Sequence, residues 1–88
     1  MVSIKFDRIV FKEGREFIAY CPELDISSCG ETIEHARAML KTAVRLFIEE
    51  AEKMGALEDI LFESNYTKDE KGRWIPPKLV ATDTATIS

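Results

Sequence analysis

Apolar side chains recur every second residue at the start of the chain and every third or fourth residue after position 32. The pattern predicts strands first and a long helix second. Over residues 3–11, Ile4, Phe6 and Val10 fall on one face of a strand. The alternation slips at Ile9, Val10 and Phe11, all apolar, as at a bulge or in a strand buried on both faces. Lys12-Glu13-Gly14-Arg15 is a turn in which Gly14 supplies the positive φ of a hairpin loop. Glu16–Cys21 is the return strand, with Phe17, Ala19 and Cys21 on one face and Ile18 and Tyr20 on the other. Pro22 cannot donate to a ladder, so this strand ends there or lies at a sheet edge. Ile26–Cys29 then reads as a short third strand, antiparallel to the second.

Gly30 allows a sharp reversal into the helix, and Thr32 is its N-cap. Glu31 and Glu34 place negative charge at the positive end of the helix dipole. From about Ile33 to Met54, Ile33, Ala36, Leu40, Ala43, Val44, Phe47, Ala51 and Met54 form one apolar stripe. Met39, Leu46 and Ile48 widen it beyond what one sheet face requires, leaving apolar surface for another chain. Gly55 stops the helix where a left-handed cap is least costly. Residues 56–63 predict a short second helix with Leu57, Ile60 and Leu61 inward. Ser64–Gly72 is a polar surface loop with a mobile tip, Trp74-Ile75-Pro76-Pro77 a stiff extended connector, and Leu79–Ile87 a final strand. The order is βββααβ, an α+β fold: a three-stranded antiparallel meander under one long amphipathic helix, with a short second helix and a last strand.

Length and composition narrow this further. Eighty-eight residues make one small domain, 1–88, with residues 64–88 as its extended connector and strand. A core this thin gains from oligomerisation, so a homodimer or higher homo-oligomer is expected through the sheet edge or the helix. No apolar run reaches the roughly 20 residues of a membrane span. The opening residues pass straight into a strand pattern without a leader's apolar core, which makes a cytoplasmic location the expectation. Cys21 and Cys29 read as two small buried hydrophobes, not a disulfide framework. The net charge of −4 disfavours general nucleic-acid affinity and suits a basic protein partner.

Cys21-Pro22-Glu23-Leu24-Asp25, then Ser28-Cys29-Gly30-Glu31-Thr32 and a long amphipathic helix, resemble the HicB-like antitoxin family. The shared pattern is a strand ending in Pro-acid-Leu, a short strand, a Gly-acid-Thr turn and a helix start. Pro22, Glu23, Leu24, Gly30 and Thr32, with Gly55 further on, are its structural signature here. His35 departs from it, since the family often has an acid after Glu34. The resemblance covers residues 3–63 best. It implies a partial ribonuclease-H-like fold and a non-catalytic role: antitoxin of a type II toxin–antitoxin pair, binding a small basic ribonuclease toxin of the HicA type and blocking its active site. Many such proteins add a DNA-binding segment; after Gly72 this chain shows no helical period, so direct DNA binding is not expected.

Four readings of the chemistry compete. A metal-dependent nuclease would use Asp7, Glu34 and Asp83, but Asp7 fits solvent and Glu34 fits the helix dipole. A Cys29–His35 nucleophile lacks a residue to orient the imidazole. Arg37, Lys41 and Arg45 form a basic row, interleaved with Glu34, Glu49 and Lys53 as intrahelical ion pairs, and so a solvated face. The binding module is favoured, with Met39, Leu46 and Ile48 as apolar contacts and Glu58, Asp59 and Glu63 as charge complementary to a basic partner. No catalytic residue, metal or cofactor is assigned. The alternative is an orphan HicB-like domain acting as a homo-oligomeric structural protein.

Overall fold

A computed structural model describes residues 3–88. Met1 and Val2, counted above within the single domain, lie outside the described residues. Three strands, β1 (Ile9–Glu13), β2 (Glu16–Cys21) and β3 (Ile26–Gly30), form an antiparallel sheet in sequence order. Helix α1 (Ile33–Lys53) packs on it, followed by α2 (Leu57–Glu63) and a two-stranded ribbon, β4 (Thr67–Lys68) with β5 (Trp74–Ile75). The α+β meander-and-helix order is therefore as the sequence pattern indicates, but the final strand is not: residues 76–88 form no strand and are largely exposed.

The sheet register explains its sidedness. Val10 lies opposite Ala19, and Ala19 opposite Ser28, so these positions share one face with Phe17, Cys21 and Ile26. That face meets α1: Ala19 and Cys21 are fully buried against Ala36, Leu40 and Val44. Ile4, Phe6 and Val10 pack on the same core, as expected, although the ladder begins only at Ile9. The run Ile9-Val10-Phe11 needs neither bulge nor double burial. Val10 points to the core, and Ile9 and Phe11 point to the opposite face. Gly14, first of two loop residues between β1 and β2, has φ +61°, the geometry of a type II′ turn.

Gly30 corrects a sequence expectation. Its φ is not in the left-handed region; the residue is there for space, because a Cβ would lie 2.5 Å from the Ala36 nitrogen. The start of α1 thus sits directly on β3. Thr32 caps the helix as expected, its Oγ1 accepting from the His35 amide at 3.0 Å. His35 stands at the third helical position, where a capping box has its acid, but its Nδ1 accepts from the amide of Glu31, one residue before the cap, at 3.4 Å.

Both helices end in the same way. After α1, Gly55 (φ +68°) donates to Glu52 O and Ala56 donates to Ala51 O, each at 3.0 Å. After α2, Asn65 (φ +65°) donates to Phe62 O at 3.0 Å and Tyr66 to Leu61 O at 2.9 Å. Each is the hydrogen-bond pattern of a Schellman motif. The second one delivers Tyr66 into the core, where it is 2 % exposed and donates its hydroxyl to Lys5 O at 2.7 Å. Ser64–Gly72 is consequently not a surface loop throughout. It holds a buried tyrosine, strand β4, and a turn in which Asp69 Oδ1 accepts from the Lys71 and Arg73 amides at 2.9 and 2.8 Å. Nor is Trp74 a connector residue: it is 1 % exposed, edge-on to Phe62 at 5.1 Å and under the Lys68 ammonium at 5.0 Å. A parallel bridge joins Ile4 to Trp74, through Lys5 N to Trp74 O at 3.1 Å and Trp74 N to Ser3 O at 2.9 Å.

Candidate functional site

The signature segment Pro22–Asp25 forms the turn between β2 and β3, closed by the pair Cys21 and Ile26. Asp25 takes φ +54° and accepts from the Tyr20 hydroxyl at 2.9 Å, which raises the tyrosine's pKa. Leu24 packs on the core. Glu23 turns back over the sheet end, where its Oε1 accepts from the Asp7 amide at 3.0 Å and the Cys21 thiol at 3.4 Å. Burial, and then the neighbouring Asp7 carboxyl, push the Glu23 pKa up. Burial likewise pushes the Cys21 thiol up to about 12. A thiol held protonated in this way is a poor nucleophile. Asp7, Pro22 and Glu23 line a cleft of about 490 Å³ with Glu63 and Lys78.

This geometry redistributes the acids of the sequence reading. Asp7 pairs with Glu23, which was not among the nuclease candidates, while Glu34 lies at the exposed start of α1 and Asp83 near Ile9 and Phe11. Among the described residues, no group of three or more His, Cys, Asp or Glu side chains is arranged to hold a metal ion. Cys29 is exposed, not buried, and sits opposite Ile18 on the sheet face away from α1 and His35. The chain does not bring that cysteine and histidine together. Among the described residues the ion pairs are Lys68–Glu58 at 3.5 Å and Arg73–Asp69 at 2.7 Å. The intrahelical pairs expected for Arg37, Lys41 and Arg45 are therefore absent there, although all three side chains are exposed.

The apolar surplus on α1 is real but smaller than its sequence suggests. Met39 and Leu46 are 41 % and 60 % exposed. Seven residues apart, they line one flank of the helix with half-buried Ala43 between them and exposed Glu50 beyond. Ile48 lies instead on the core side at 7 % exposure and offers nothing to a partner. The acids of α2 divide between two places. Glu58 and Asp59 line a cleft of about 380 Å³ with Glu52, Lys68 and Trp74, whereas Glu63 lines the Asp7–Glu23 cleft. They do not make one continuous patch.

A second apolar surface escaped the sequence reading. On the sheet face away from α1, Ile9, Phe11, Ile18 and Tyr20 adjoin one another in register, and Phe11 is 55 % exposed. Helix α1 packs on the opposite face, and Thr82–Thr84 stand beside Ile9 and Phe11 at the β1 side of this one. The slip at residues 9–11 was its signal. Among the described residues no helix is long and apolar enough to cross a membrane. No protein-family model, curated protein or solved structure matches this chain.

Proposed function

We propose that this chain is a non-catalytic, HicB-like protein-binding module: the antitoxin of a type II toxin–antitoxin pair that covers a small basic ribonuclease of the HicA type. The observation that carries the binding half of this reading is the flank of α1. Two large apolar side chains, Met39 and Leu46, stay in solvent along one flank of the helix, with Ile33 and Met54 also exposed at its two ends. Exposed apolar residues rimmed by charge are the composition of a protein contact. Glu50 on the same flank, and the net charge of −4, favour a basic partner by electrostatic steering. The family half rests on the order and spacing of Pro22-Glu23-Leu24, Gly30-Glu31-Thr32 and Gly55. A cytoplasmic location and action as protein, without direct DNA binding, go with it.

The test is co-expression with the short basic reading frame adjacent to the gene, followed by calorimetry and a ribonuclease assay. A stoichiometric complex with ribonuclease activity suppressed is expected. Burying Met39 or Leu46 in such an interface is worth about 1.5–3 kcal/mol each, so Met39→Glu and Leu46→Glu should weaken binding at least about tenfold apiece. Both positions are exposed, so thermal stability should stay within about 0.5 kcal/mol. No complex, or a complex insensitive to both changes, would overturn the assignment of this surface.

A further inference from the structure

We infer that residues 79–87 are a β-strand that pairs with the β1 edge of a second copy of this chain, so that two molecules exchange tails in a two-fold dimer. The inference does not depend on a toxin partner; it identifies what occupies the free edge of the sheet.

The tail is shaped for pairing and finds none in its own molecule. Leu79, Val80, Thr82, Thr84, Thr86 and Ile87 have strand composition, and Val80 and Ile87 are 82 % and 95 % exposed. A solvated tail would be polar or rich in glycine, serine and charge; between Leu79 and Ile87 this one carries a single charge, Asp83. Among the described residues, no backbone hydrogen bond joins residues 76–88 to the rest of the chain. The molecule's dimensions register the same deficit. Its 6640 Å² of accessible surface exceeds the roughly 5,200 Å² expected of a compact monomer of 10.0 kDa. Its radius of gyration is 14.5 Å, where about 12 Å is expected for the length. The surplus area, about 1,400 Å², is more than the roughly 800 Å² per partner of a standard interface.

The acceptor lies on the same chain. In the β1–β2 hairpin, Glu13 and Glu16 close a two-residue loop and exchange hydrogen bonds, as do Phe11 with Ile18 and Ile9 with Tyr20. The amides and carbonyls of Val10 and Lys12 therefore point away from β2, along an edge that no strand occupies. Unpaired edges of this kind are what added strands bind.

Direction decides between the two possible donors. The chain's end runs parallel to its beginning: Trp74 bridges Ile4, Leu79 shares a cleft with Asp7, and Thr82–Thr84 stand beside Ile9 and Phe11 across a gap of 710 Å³. Pro76 and Pro77 have no amide hydrogens, so they interrupt this parallel pairing after Ile75. Resuming it within one molecule would add a weaker, parallel strand at an exposed edge of an antiparallel sheet. A two-fold axis normal to the sheet beside β1 reverses the relation. The tail of the second copy then runs antiparallel to β1, as β2 does on its other side. Each chain gives one strand and receives one, which closes the assembly.

The test uses the full chain. Sedimentation velocity should show a dimer, and hydrogen exchange should protect tail amides 80–86 increasingly with protein concentration. Lys12→Pro removes an edge amide that β2 does not use, and Thr82→Pro with Thr84→Pro removes tail amides outside the core. Each variant should keep the wild-type far-ultraviolet spectrum and raise the dimer dissociation constant at least about tenfold. A monomer at all concentrations, tail protection independent of concentration, or dimers unaffected by both sets of prolines would each overturn the proposal.

Discussion

Substituting Gly30 by alanine isolates the closest approach in the fold. A Cβ built there meets the Ala36 nitrogen at 2.5 Å, and the His35 carbonyl carbon and Cγ at 2.9 Å. Ordinary carbon contacts lie near 3.5–4.0 Å, so the first turn of α1 must move off β3 by about 1 Å. Two of the three atoms are helix backbone, which cannot swing aside as a side-chain tip would. Overpacking typically costs 1–3 kcal/mol, and backbone obstruction puts this case at the upper end, about 3 kcal/mol. For a domain of this length each kcal/mol lowers the melting temperature by about 4–8 °C, giving a fall of about 12–24 °C. Melts followed by circular dichroism and by the fluorescence of buried Trp74 measure it. Gly14→Ala is the control with the opposite cause: nothing lies within 4 Å of its Cβ, but φ is +61°. Conformational strain alone should cost about 1 kcal/mol there. If Gly30→Ala came within about 0.5 kcal/mol of wild type, or cost less than Gly14→Ala, the packing of α1 on β3 would be other than described.

Tyr66→Phe removes the hydroxyl that satisfies Lys5 O in a part-buried site, and urea unfolding should show a loss of about 1–2 kcal/mol. Glu23→Gln tests the carboxyl pair, since Gln Oε1 can still accept from the Asp7 amide and the Cys21 thiol. Because the Glu23 pKa is raised in the folded chain, ionising it costs stability as pH rises through its folded value. The glutamine variant should therefore be more stable than wild type at pH 8, with the difference closing at pH 4 and below; a constant difference across that range would refute the coupling.

The meander, the Thr32 cap and the extent of α1 were legible because each is a local pattern with a single physical solution. The sidedness of α1 was less so. Ile48, four residues after Val44 and three before Ala51, falls on the core stripe, and Leu46, two residues from Val44, falls off it; grouping both as one widened stripe hides that difference. Tyr66 was hidden in a polar stretch, although Asn65 after an apolar helical run is a left-handed cap signal, and such caps send the next residue back onto the helix. The prolines beside Trp74 fix backbone direction but say nothing of where the indole goes. The tail has the composition of a strand, yet composition cannot name the edge it joins. At the Glu23 cleft, Pro22-Glu23-Leu24 was legible as a motif, whereas the approach of Asp7, sixteen positions earlier, depends on how the intervening hairpin folds.

The bridge from Ile4 to Trp74 joins residues 70 positions apart, and it orders events in time. The hairpin and α1 need only near neighbours and can form while the chain is still being made. Ile4, Lys5 and the lid supplied by Tyr66 and Trp74 have to wait for those aromatics to emerge. At 5–20 residues per second that wait is about 4–14 s. During it the nascent sheet has its helix but not its seal. A protein whose proposed task is to meet its partner promptly would pass through this open form each time it is synthesised, and the indole that completes it is also the fluorophore that reports completion.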